Sequence, residues 1–312
     1  MEYLWTTLIV LACLALFFLL ATYVVFYIVF YVPNSKKKSK EEFPIPHGKI
    51  YEPFREQMVG WIKEVRSLPQ EAVSITSFDG LTLTGKYYEY EPGAPIELMM
   101  HGYRGEAERD LCGGVQRCFA LKRSAFIVDQ RACGNSDGNI ITFGVKEKQD
   151  CLDWVKFMVQ KFGPDVRIIL TGISMGGATV LMAAGEELPS NVIGVLADCG
   201  YTSPKEIIVK VIRQLHLPVV ILYPLIKLSA KIIGKFDLES CSATEALRKC
   251  KVPVILFHGE ADDFVPCEMS KVNYEACAST KKLVTIADAG HGLSYVFDTE
   301  KYLTELGSFF PL

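Results

Sequence analysis

From Tyr3 to Val32 the chain runs for about thirty residues without a charge, rich in Leu, Val, Phe and Tyr. A helix needs only about 20 such residues to cross a bilayer, so a tilted transmembrane helix is the first element this pattern predicts. A cleaved signal peptide would show a basic flank, a shorter apolar core and a small-residue cleavage site. Here the flank is Met1-Glu2 and the segment ends in FYVPN, so a retained anchor is expected. After it the pattern changes. Phe54 to Ser67 places Met58, Ile62 and Val65 on one side of a short helix. AVSITSF and LTLTGKYYEY flank an Asp-Gly pair and read as a hairpin. Apolar runs IELMMHG, SAFIVDQ, VRIILTGIS, NVIGVLAD, VPVILFHG and KLVTIADAG follow, separated by helical stretches such as Val145 to Phe162 and Ala178 to Leu188. Such runs between helices call for a mostly parallel sheet covered on both faces, the α/β class.

Length divides this pattern into an anchor (1–35), a basic, Pro-containing connector with the short helix (36–71) and one large domain (72–312). A net charge of −3, with no basic stripe, gives no footprint for nucleic acid. Lys36, Lys37, Lys38 and Lys40 follow the apolar run and nothing basic precedes it, so a single-pass protein with its domain on the cytoplasmic side is expected. The same lysines are placed to touch anionic headgroups. The ten cysteines are scattered, with no CxxC pair, as suits a reducing compartment. Cys133 and Cys199 read as packing residues. No His/Cys spacing fits a zinc site, and neither metal nor cofactor is expected.

In a sheet of this kind reactive groups gather at the carboxyl ends of the strands. One such end is Gly172-x-Ser174-x-Gly176, where an apolar strand gives way to a helix. A serine on that sharp turn stands above the sheet, and its neighbours must be small for strand and helix to approach. The N–H of Met175, at the helix start, is then aimed at a developing oxyanion. A serine hydroxyl needs a base, and the base needs an orienting acid. Of five histidines, His47 lies in the connector, His216 in an apolar insertion, and His101 and His258 end strands before a glycine, where they shape turns. His291, after the last strand, is the candidate base. Asp262, in HGEADDFVP, is the preferred acid, with Asp198 at the end of the preceding strand in reserve.

HGYRG, DQRACGNSDG, GISMGG, HGEADDFVP and GHG, in that order over residues 72–312, resemble the serine-hydrolase branch of the α/β-hydrolase superfamily. Within it the likeness is to membrane-anchored and prolyl-oligopeptidase-like members. The resemblance implies an α/β-hydrolase fold, an acid at Asp262, and oxyanion donors at the backbone N–H groups of Tyr103 and Met175. The family's D-x-R-G-x-G-x-S pattern is DQRACGNS here, with Ala132, followed by Cys133, where the pattern has its first glycine. Asp129 and Arg131 therefore read as loop-holding residues, and Arg104 as a pocket candidate for which simple surface exposure is the preferred reading. The apolar insertion at about 203–244 corresponds to a helical cap, expected to line an acyl pocket or to lie against the bilayer. The function expected is a membrane-anchored serine hydrolase that cleaves carboxylic esters or thioesters of moderately hydrophobic, lipid-like acyl substrates through an acyl-enzyme. A serine peptidase of prolyl-oligopeptidase-like type and a non-catalytic anchored binding module are the other readings.

Overall fold

The structure, a computed structural model, describes residues 2–311. Its first helix, α1 (Glu2–Val29), is long and apolar enough over Tyr3–Val29 to cross a membrane. The sequence reading runs a membrane-crossing helix from Tyr3 to Val32, but the end of α1 is docked on the domain. Thr22, Phe26 and Phe30, four residues apart, form a buried stripe. Phe30 meets Phe143 and Phe236 edge-on, with ring centroids 5.8 and 5.3 Å apart. A backbone bridge between Tyr31 and Ile140 extends the attachment.

The connector is packed rather than loose. Ile45 and Tyr51 are buried, and α2 (Arg55–Ser67) buries Met58, Ile62 and Val65, the face expected from the spacing. The hairpin follows as β1 (Glu71–Thr76) and β2 (Thr82–Tyr88), turning at Asp79-Gly80, where Gly80 takes a φ of 86°. The chain then alternates: β3 (Ile96–Met100), α3 (Ala107–Ala120), β4 (Ser124–Asp129), α4 (Glu147–Phe162), β5 (Ile168–Ile173), α5 (Met175–Ala183) and β6 (Val192–Asp198). The insertion supplies α6 (Pro204–Gln214) and α7 (Val219–Ile232), and α8 (Ala243–Leu247) leads into β7 (Val254–Gly259). After it come α9 (Cys267–Ala276), β8 (Lys281–Ile286), α10 (Ser294–Phe297) and α11 (Thr299–Phe309).

The strands form one sheet in the order β1-β2-β4-β3-β5-β6-β7-β8, antiparallel at β1-β2 and β2-β4 and parallel from β4 onward. Both faces are covered, so side chains alternate between two apolar layers. Leu98, Met100, Phe126, Val128, Ile168 and Leu170 face the layer containing α4 and α5, whereas Met99, Ile127 and Ile169 face α2, α3 and α11. The chain order reverses around β3, which lies between β4 and β5, and this opens a crevice beyond the carboxyl ends of β3 and β5.

Two boundaries differ from the expectation. The helix placed at Ala178 to Leu188 runs from Met175 to Ala183, because the glycine pair enters the helix directly from the serine turn. It ends early where Gly185 lies against Ala246, too close for a side chain. In the insertion, Ser203 caps α6 by accepting the N–H of Glu206 at 3.1 Å, and Pro204 occupies the first turn.

Candidate active site

Ser174 sits between β5 and α5 with φ 56° and ψ −118°, a conformation that costs a non-glycine residue energy and persists only when its surroundings enforce it. Here they do. A Cβ on Gly172 would lie 2.1 Å from the carbonyl oxygen of Gly176, and one on Gly176 would lie 2.0 Å from that of Met100. Only glycines let strand and helix close to this distance. The Ser174 N–H donates to the Asp198 carbonyl at 2.8 Å, which pins the turn to the next strand.

The turn aims the Ser174 hydroxyl at His291, whose Nε2 is 2.9 Å from Oγ. His291 Nδ1 is 2.7 Å from Asp262 Oδ2. The other carboxylate oxygen, Oδ1, accepts the N–H groups of Phe264 and Val265 at 2.9 and 2.8 Å, so the loop itself holds the acid in place. Burial alone would raise the Asp262 pKa. The hydrogen bonds from His258 and His291, with the backbone N–H of Val265, outweigh it and hold the carboxyl well below the usual range. His258 is buried and shapes this loop: Nε2 donates to the Val265 carbonyl at 2.8 Å while Nδ1 lies 2.6 Å from Ser270 Oγ.

The reserve acid is not placed for the role. Asp198 Oδ1 accepts the Ser294 hydroxyl at 2.8 Å, its carbonyl takes the Ser174 N–H, and burial raises its pKa. Cys199 Sγ, Asp262 and His291 do come within 4.8 Å of one another. A metal would need the thiolate, but burial and the Asp198 and Asp262 carboxylates push the thiol well above its ordinary pKa. Both Asp262 oxygens are also already engaged.

The His101–Gly102 turn lies against the serine: a Cβ on Gly102 would be 3.7 Å from Ser174 Cβ. His101 is fully buried, with Nε2 accepting the Gln130 N–H at 3.0 Å. Among the described residues, no backbone carbonyl takes the N–H of Tyr103 or of Met175. Tyr103 is fixed from below by its ring, stacked on Phe143 at 5.0 Å, and by its hydroxyl, which donates to the Val29 carbonyl at 2.7 Å. Arg104 is exposed and donates to the carbonyls of Ile28 and Tyr31, which closes the end of α1. Asp129 accepts the Ala107 and Asn135 N–H groups, each at 2.9 Å, and Arg131 bridges Asp79 and Asp150. Asp129 and Arg131 brace loops, as read from the sequence, whereas Arg104 is exposed and also borders the cavity beside Ser174.

A cavity of about 350 Å³ opens beside Ser174 and His291. Its walls correct one expectation: no residue of the 203–244 insertion lines it. The connector supplies His47 and Tyr51, α2 supplies Met58 and Trp61, and Tyr295 and Val296 of α10 complete the mouth. The Tyr51 hydroxyl donates to the His291 carbonyl at 3.0 Å, a contact across 240 positions that no local pattern announces. His47, passed over in the sequence as a connector residue, is exposed but stands at this rim. The insertion instead reaches the acid loop, where Lys210 lies over the Phe264 ring, and Phe264 meets His291 edge-on at 5.1 Å.

A family model described as the alpha/beta hydrolase fold matches residues 98–219. The chain is 27% identical over 180 residues to an uncharacterized protein of Bacillus subtilis, YqkD, covering 57% of this chain and 59% of that one, less than two thirds of its length. It is 26% identical over 223 residues to the protein bem46 of Schizosaccharomyces pombe, covering 69% and 68%. Among solved structures, an esterase of Pyrococcus furiosus superposes with a TM-score of 0.65 at 21% identity, over 85% of this chain and 95% of that one. An esterase of Exiguobacterium antarcticum gives 0.55 at 18% identity, over 76% and 98%. Likeness at these identities speaks to the fold.

Proposed function

The chain has the α/β-hydrolase fold, and from that premise we propose that it is a membrane-anchored serine hydrolase of carboxylic esters or thioesters. The observation that carries the proposal is the continuous relay from Ser174 Oγ through His291 to Asp262, at 2.9 and 2.7 Å. In this reading Asp262 holds the His291 proton on Nδ1, which leaves Nε2 free to accept. As Ser174 Oγ attacks the acyl carbonyl, its proton passes to Nε2. The oxyanion forms beneath the N–H groups of Tyr103 and Met175, and the α5 dipole adds to their field. His291 then gives the proton to the departing alkoxide or thiolate. A water, deprotonated by the same nitrogen, releases the acid and restores the serine. The cavity walls of Met58, Trp61 and Tyr295 favour a moderately hydrophobic acyl group. α1 supports the anchoring part of the reading.

The test is labelling with a fluorophosphonate probe, followed by assay of acyl esters of graded length beside aminoacyl amides. Wild type is expected to take the label and Ser174→Ala to lose it. Equal labelling would refute the nucleophile, and a preference for amides would make the protein a peptidase.

A further inference from the structure

The insertion that does not line the cavity has an apolar tip instead. At the turn between α6 and α7, Leu215 and Leu217 are exposed, and in the first turn of α7 Val220 is 84% exposed and Ile221 63%. The turn is held, not frayed: Leu217 N–H donates to the Ile212 carbonyl at 3.1 Å, and Pro218 caps α7. Four large apolar side chains facing water together are a marker of a binding surface rather than scattered exposure.

What covers them follows from α1. Tyr3 and Trp5 stand exposed near one end of that helix, and Tyr23 and Tyr27 near the other. At 1.5 Å per residue, Trp5 and Tyr23 are about 27 Å apart, close to the ~30 Å of a bilayer's hydrocarbon core, and aromatic residues favour the two interfaces. The inner interface then falls near Tyr23, where the docked stripe of Thr22, Phe26 and Phe30 begins. α7 packs against α1. Phe236, folded back at the end of α7 by its bond to the Ala230 carbonyl, touches Phe30, so the two helices end together and run in the same direction. Counted back from Ile232, the first turn of α7 lies about 18 Å along the axis, level with Phe17 to Leu20 of α1 when these are counted back from Phe30. The apolar tip therefore stands about 5–9 Å on the bilayer side of Tyr23, and Arg213, exposed one turn away on α6, is placed for lipid phosphates.

We propose that the α6–α7 tip, Leu215 to Ile221, inserts into the same bilayer as α1, giving the domain a second membrane contact that fixes its tilt. The proposal rests on the reading of α1 as an anchor, and the test separates the two. The full chain is reconstituted in phosphatidylcholine–phosphatidylglycerol vesicles whose acyl chains are brominated near the headgroup end, and tryptophan fluorescence is compared with unbrominated vesicles. In one arm Trp5 reports α1. In the other, Val220→Trp, with Ile221→Trp as a second reporter, is read on a Trp5→Phe background, where Trp61 and Trp154 give the baseline. The expected result is at least twofold quenching of the added reporter. Quenching in the Trp5 arm without quenching of either tip reporter would overturn the tip contact and leave the anchor. Tip reporters shielded from aqueous acrylamide but not quenched by bromine would mean a protein covers the tip, and would also overturn it. No quenching in either arm would overturn the anchor and the tip contact together.

Discussion

Asp262→Asn tests the relay most sharply, because the geometry dictates which way the new amide must face. The Oδ1 position receives two backbone N–H donors, from Phe264 and Val265, so the asparagine oxygen stays there and its NH2 takes the place of Oδ2. That NH2 then lies 2.7 Å from His291 Nδ1. His258 Nε2, 3.3 Å from the same oxygen, already donates to the Val265 carbonyl and cannot become the acceptor. His291 must therefore accept at Nδ1 and carry its proton on Nε2, facing Ser174 Oγ. A ring in that tautomer cannot take the serine proton. In a Ser-His-Asp site the same swap costs about 10⁴ in kcat, or about 5.4 kcal/mol at 1.36 kcal/mol per tenfold. The loss should fall on kcat with KM little changed, measured on p-nitrophenyl butyrate with circular dichroism as the check on folding. A loss under about tenfold, or an equal loss in Asp198→Asn, would refute the reasoning. A second readout is acid stability. The depressed Asp262 carboxyl contributes stability above its unfolded value of about 3.9, lost only as pH falls through the lower folded value, so Asp262→Asn should flatten that part of the acid-unfolding curve.

Four further substitutions test other parts of the structure. Trp61→Ala removes a cavity wall that stacks on Tyr295 at 5.6 Å, so the preferred acyl length should rise by several carbons, while an unchanged chain-length profile would show that this cavity does not hold the acyl group. Gly176→Ala and Gly60→Ala form a pair: the first drives a Cβ to 2.0 Å from the Met100 carbonyl and should abolish fluorophosphonate labelling. The second has open space around it on the exposed face of α2 and should raise stability by about 0.5–1 kcal/mol in a denaturant titration. Glu97→Gln should cost about 3–5 kcal/mol in the same titration, because it leaves Arg117 and Arg123 buried without their counter-charge. Burial raises the Glu97 pKa, but the two guanidiniums bring it down to about 2, so this contribution is present above the ordinary glutamate value of about 4.3 and fades as pH falls toward 2.

The residues of the relay were legible because each stands where an apolar strand run stops, and the glycines beside Ser174 carry their steric reason in their spacing. The wall of the cavity was not. Tyr51 reaches His291, and Trp61 meets Gly113 and Tyr295, through contacts that join distant parts of the chain. Nothing in KIYEPF distinguishes such a tyrosine from one that faces water. The docking of α1 was hidden for a different reason. Sequence periodicity reveals a buried stripe only when the opposite face is polar, and in α1 the opposite face is as apolar as the stripe. The same blindness applies to the insertion. Ile207, Ile208 and Ile212 are core residues and Leu217, Val220 and Ile221 are exposed, yet all read alike as hydrophobic, so an apolar cap over the site was the natural inference. What separates the buried from the exposed apolar positions here is how α6 and α7 pack against α1 and the sheet, an arrangement that no local pattern carries.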